Sequence, residues 1–148
     1  IGFENGVSYR SQFKSGDGSD TDFVIPCVAD GRTQDVDVFI AVQFSSNDRA
    51  RMASSEIQSG GAAYLITGNG MDVSTKRLRN IGKEIIQGYK VQNIKIVCRK
   101  AEIEREKNRL IHNLDSQNPT RSNEARLQFM ENYTLSMASF AKKMKTFL

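Results

Sequence analysis

Two β-rich apolar runs flank an Asp-Gly pair, and no other pattern constrains the chain as much. The runs are Thr21–Ala29 (TDFVIPCVA) and Asp35–Ser45 (DVDVFIAVQFS), with Asp30-Gly31-Arg32-Thr33 between them. Asp-Gly between β-formers predicts a hairpin with a tight turn. Folded about that turn, paired residues carry numbers that sum to about 63. Asp22 then lies beside Ala41 and Asp20 beside Gln43. Side chains alternate along a strand, so Ala41 and Gln43 share one face and Val42 and Phe44 the other. Pro26 has no N–H to give to a ladder, which makes the first strand an edge or bulged strand.

The rest of the chain reads as further alternation of strand and helix. Val7–Lys14 alternates apolar and polar residues and predicts a half-buried strand, followed by the loop Ser15–Ser19. Arg49–Ser59 predicts a helix, capped from Ser45–Asp48 and stopped by Gly60-Gly61. Ala62–Thr67 (AAYLIT) is apolar and bounded by glycines, the pattern of a buried strand. Lys76–Gln87 predicts a helix ended by Gly88. Its buried stripe is Leu78, Ile81 and Ile85, and Lys76, Arg79 and Lys83 form a basic stripe on another face. Gln92–Arg99 is a strand, Ala101–Leu114 a charged helix, and Asn123–Phe147 one long final helix. Its stripe of Met130, Tyr133, Met137, Phe140 or Ala141, Met144 and Phe147 suits packing on the domain or pairing two subunits. The expected architecture is an α/β mixed sheet of about five strands in the order β-β-β-α-β-α-β with flanking helices and a C-terminal helical extension. The core would span residues 1–118 and the extension residues 119–148.

Composition narrows the function classes. The 148 residues carry a net charge of +4 and a pI near 9.2, mildly basic and compatible with a polyanionic partner. There is no apolar run of transmembrane length and no signal peptide at the N-terminus. The chain does not start with Met, which fits a fragment or a processed form. Cys27 and Cys98 both fall in predicted strands and read as reduced core thiols of a cytoplasmic protein. His112 is the only histidine and lies on a charged helix, which argues against zinc. Gly68-Asn69-Gly70 lacks the Lys-Ser/Thr ending of a P-loop and reads as a turn.

The shared face of Asp22, Ala41 and Gln43 points toward metal-dependent phosphodiester chemistry. A divalent cation lowers the pKa of bound water and offsets transition-state charge. Mg²⁺ accepts one or two carboxylates, keeping waters and phosphate as its other ligands. In these residues the chain resembles the PD-(D/E)XK nuclease superfamily, which includes many restriction endonucleases. The resemblance covers about residues 7 to 100 of the sequence. It implies an Asp at the start of the second core strand, matched by Asp22 or Asp20. It implies Glu-X-Lys, or in some members Glu-X-Gln, near the end of the third, where this chain has Ala41-Val42-Gln43. By that resemblance Asp20, Asp22 and position 41 would hold Mg²⁺, and Gln43 would orient the attacking water.

Ala41 has no ligand oxygen, so the protein as written is expected to be inactive. The alanine reads as an engineered replacement, as a natural loss in a protein kept for binding DNA, or as an ordinary core residue. Substitute carboxylates are Glu56 and, more remotely, Glu4, Asp35 and Asp37. Arg49, Arg51, Lys76, Arg79 and Lys83 could contact phosphates, and Ser46, Asn47 and Arg49 form a candidate base-reading loop. The resemblance implies double-stranded DNA as partner and a homodimer that matches the symmetry of a palindromic site. The alternatives are a non-catalytic nucleic-acid-binding module and an assembly protein acting through its C-terminal helix.

Overall fold

Among the described residues, strand-forming runs assemble into a sheet whose six strands lie in sequence order. In the computed structural model, residues 2–15, 20–43, 61–67, 83–91, 93–114 and 121–147 are described. The strands are β1 (Arg10–Lys14), β2 (Asp20–Ile25), β3 (Val38–Gln43), β4 (Ala62–Thr67), β5 (Ile94–Cys98) and β6 (Thr134–Ser136). The helices are α1 (Lys83–Val91), α2 (Lys100–Leu114), α3 (Arg121–Tyr133) and α4 (Met137–Met144). β1, β2 and β3 are antiparallel, and β3 through β6 are parallel. The fold is therefore the expected mixed α/β sheet flanked by helices, with one strand more than the sequence suggested.

The parallel strands are apolar on both faces because both are covered. Ala63, Leu65, Ile94 and Ile96 meet Tyr89 of α1 and Phe129 of α3 on one face. Ile25, Val38, Ile40, Tyr64 and Val97 meet Met144 of α4 on the other. Cys98, Ile103, Leu110 and Met130 bind α2 to α3 beyond the end of β5.

The predicted hairpin is present in register but not in its turn. Phe23↔Ile40, Val24↔Phe39 and Ile25↔Val38 pair as expected. The strands are shorter than predicted: β2 stops at Ile25, before Pro26, which follows a cis peptide bond and has no N–H to donate. β3 begins only at Val38, so residues 26–37 form a broad connection. The Asp30-Gly31 turn faces β1 instead of closing the hairpin. Gly31 N–H donates to the Lys14 carbonyl at 2.7 Å, and Lys14 N–H donates to Asp30 Oδ1 at 3.1 Å. Arg10 pairs with Asp30 at 2.8 Å. Cys27 thus lies in the connection, half-buried, while Cys98 is buried in β5, and both are free thiols.

Two other expectations are corrected. Gly88 does not end its helix; α1 continues to Val91 and buries Tyr89 to 2% exposure. Burying an aromatic side chain outweighs the roughly 1 kcal/mol that glycine costs a helix. The last helix is not continuous. Thr134–Ser136 leaves it and pairs with the edge of β5, matching Ile96↔Thr134 and Cys98↔Ser136. The Thr134 hydroxyl donates to the Met130 carbonyl, and Ser136 Oγ accepts the Ser139 N–H at 3.1 Å and caps α4. The apolar spacing survives because α4 still returns Phe140 and Met144 to the sheet. The helix expected at Arg49–Ser59, residues 76–82 of the next helix, and the strand extension through Phe44 and Ser45 lie outside the described residues.

Candidate active site

The sheet forks at Asp22. β1 stays paired with β2 out to Lys14↔Asp20, and β3 stays paired with β4 out to Gln43↔Thr67. The β2–β3 ladder ends earlier, at Phe23↔Ile40. Residues 20–22 and 41–43 therefore form the two arms of an opening at the carboxyl end of the parallel strands. That end is where open α/β sheets bind ligands.

Asp22 stands at the base of the fork, half-buried, and its Oδ2 accepts the Val42 backbone N–H at 2.7 Å. The β2–β3 ladder stops one pair short of the expected Asp22–Ala41 match, and the link present at that level is the Asp22–Val42 bond. Ala41 is half-buried and packs against the cluster of Ala63, Leu65, Tyr89, Ile94, Ile96 and Phe129. Gln43 ends β3 beside Thr67; its backbone alone is described. Asp20, exposed, ends the other arm. The fork therefore collects the strand positions of Asp20, Asp22, Ala41 and Gln43 at one end of the sheet.

Asp35 and Asp37 do not join them. Asp35 pairs with Arg32 at 2.6 Å, and Asp37 precedes β3 at its opposite end, about 13 Å along the strand from Ala41. Glu4 is exposed in the segment before β1, where its backbone carbonyl accepts the Val7 and Ser8 N–H groups. Ser46, Asn47, Arg49, Arg51, Glu56, Lys76 and Arg79 lie outside the described residues. Lys83 is the first residue of α1, and its side chain also lies outside the description. Among the described residues, no group of three or more His, Cys, Asp or Glu side chains could hold a metal ion. No helix among them is long and apolar enough to cross a membrane.

Two features of the fork were not anticipated. Gln12 of β1 takes a left-handed backbone, φ 52°, at the register position facing Asp22. Such a conformation is uncommon outside glycine and concentrates at functional sites. Thr67 is buried to 2% exposure, and its hydroxyl has no hydrogen-bond partner among the described residues. Nothing in the local sequence signals Gln12. β4 carries two hydroxyls, on Tyr64 and Thr67, and β-propensity alone accounts for a threonine there.

No protein-family model and no curated protein matches the chain. Among solved structures, it is similar to the restriction endonuclease PspGI in its complex with substrate DNA. The TM-score is 0.54 at 14% identity, over 97% of this chain and 55% of that one. The chain thus spans about half the length of that relative. The fold is restriction-endonuclease-like.

Proposed function

We propose that this chain is a nuclease-fold domain that binds duplex DNA, with its hydrolytic centre in the fork between β2 and β3. The observation that carries the reading is Asp22, held at the base of that fork in a restriction-endonuclease-like sheet. The neighbour's complex with substrate DNA supports DNA as the polyanionic partner, as does the net charge of +4. The residues fit a magnesium ion only in part. Asp22 and Asp20 supply carboxylates, and phosphate and water oxygens would complete the set, as is usual for this ion. When bound, the ion would supply an activated water and offset charge on the phosphate. Asp22 would anchor it and Gln43 would orient the water. Position 41 is where the third acidic group belongs, so the protein as written is inactive in this reading. Asn47, Arg49, Arg51, Lys76, Arg79 and Lys83 are the proposed DNA contacts, and a two-fold homodimer is the proposed assembly. The free thiols Cys27 and Cys98 suit the reducing cytoplasm as the place of action.

The test is plasmid cleavage with Mg²⁺ by the Ala41→Glu variant beside the unaltered protein. Metal-dependent cutting by the variant alone is the expected result. No cutting by either protein sinks the hydrolytic reading.

One observation favours a second reading. Ala41 packs against an apolar cluster, where a methyl group fits without a charge to desolvate. A natural alanine there would make the chain a DNA-binding module without hydrolysis, and salt-sensitive, metal-independent DNA binding would distinguish it.

A further inference from the structure

Of the six residues of β2, Asp22 alone has no ladder partner among the described residues on either side. Its neighbours pair with β1 as Thr21↔Phe13 and Phe23↔Ser11, and an unbroken ladder would pair Asp22 with Gln12. Gln12 instead takes φ 52°. A residue with a Cβ enters that left-handed region only at a cost. Gln12 is exposed, so burial of its own side chain does not account for the angle. In a regular ladder, side chains stand roughly perpendicular to the sheet, while N–H groups point along it toward the next strand. The Asp22 carboxylate accepts the Val42 N–H at 2.7 Å, so it leans along the sheet toward β3. Local irregularities in a ladder re-aim a side chain in this way, and they concentrate beside active sites.

We propose that Gln12 is a positioning residue of the centre: its left-handed backbone keeps Asp22 out of the β1 ladder and so aims the Asp22 carboxylate across the fork at β3, the strand that carries position 41. The functional consequence rests on the nuclease reading of Asp22. Gln12 acts through its backbone angle, and its side chain touches no reacting group.

The test has two readouts. In the otherwise unaltered protein, amide hydrogen exchange at Val42 reports the bond to Asp22, and Asp22→Ala sets the unprotected rate. Gln12→Val puts a β-branched side chain where φ is 52°. It is expected to speed exchange at Val42 about tenfold, while the Tyr64 and Leu65 amides of β4 stay as protected as in the parent. Gln12→Gly takes the angle freely, so it is expected to keep Val42 protected and to melt no lower than the parent. In the Ala41→Glu protein, Gln12→Val is expected to slow single-turnover plasmid cleavage about a hundredfold, the scale of a catalytic group displaced by about 1 Å. Gln12→Gly is expected to cleave at the parent rate. Val42 protection undiminished by Gln12→Val, or lost equally in Gln12→Gly, overturns the inference alone and leaves the nuclease reading standing. Cleavage as slow in Gln12→Gly as in Gln12→Val does the same, because it assigns the effect to the side chain. If Gln12→Val does not fold, Gln12→Gly decides: Val42 protection kept without loss of melting temperature supports the inference, and protection lost overturns it. Absence of cleavage by Ala41→Glu itself overturns the nuclease reading, and the role given to Gln12 falls with it.

Discussion

The Asp22 carboxylate accepts the Val42 backbone N–H at 2.7 Å, so a side chain bridges β2 and β3 at the point where their ladder ends. The bond ties the acid's position to the strand that carries position 41. Asp22→Ala leaves the Val42 N–H to water, because Val42 is 46% exposed, and is expected to cost about 1 kcal/mol. Asp22→Asn keeps an oxygen acceptor of the same reach and is expected to cost less. Urea unfolding measures both. An asparagine variant less stable than the alanine variant would mean that the charge, not the acceptor geometry, holds the fork together.

The site was legible in the sequence to the extent that it depends on strand register. Alternation within VFIAVQ and the apolar match of Phe23–Ile25 to Val38–Ile40 leave one pairing that buries both strands correctly, and that pairing brings Asp22 to the end of the ladder, where its carboxylate meets the Val42 N–H. The turn was misread because Asp30 has a stronger use than closing a hairpin: its carboxylate serves Lys14 and Arg10 on β1, a partner distant in sequence. Strand β6 was hidden for a similar reason. Residues 134–136 sit inside a helical apolar stripe, and only the unpaired edge of β5 draws them out as a strand. Neither Gln12 nor Thr67 could be found from local pattern, since a backbone angle and an unpaired hydroxyl exist only in the folded chain.

Gly31 offers a direct test of the turn that docks on β1. Its φ is 78°, and a Cβ added there would meet nothing within 4 Å. Gly31→Ala therefore probes backbone conformation without steric conflict, and is expected to destabilise by about 1 kcal/mol. Urea unfolding at neutral pH is the measurement. An unchanged midpoint would show that the turn relaxes away from Lys14 without consequence for the sheet.

Ser136 marks the switch from strand to helix at the end of the chain. Its hydroxyl accepts the Ser139 N–H at 3.1 Å, satisfying one of the free donors that open α4. Ser136→Ala is expected to cost about 1 kcal/mol, and Ser136→Asp, which keeps the acceptor and adds charge at the positive end of the helix, much less. Equal losses for both variants in urea unfolding would show that α4 is held by Phe140 and Met144 against the sheet and not by its cap.

Burial makes the fold sensitive to alkali. Desolvation pushes the Cys98 thiol up to about 12 from an ordinary 9.0, and the Glu102 carboxylate adds to the rise. Burial raises the Tyr89 phenol in the same direction, and its hydroxyl has no partner among the described residues. Both groups are neutral when protonated, so the folded chain keeps protons that the unfolded chain gives up. Stability from this source is complete below the unfolded values of 9.0 and 10.0 and is lost as pH rises toward the folded values. Each group can contribute up to about 1.4 kcal/mol per pH unit within that window. Urea midpoints should hold steady below about pH 9 and fall steeply above it. Tyr89→Phe removes one proton site and an unpaired hydroxyl together. It should leave neutral-pH stability equal or higher and flatten the alkaline fall. Cys98→Ala should flatten it as well, from a lower starting stability because β5 loses a buried sulfur. An alkaline limb as steep in a protein carrying both Tyr89→Phe and Cys98→Ala as in the parent would assign the loss to surface charge instead of these two buried acids.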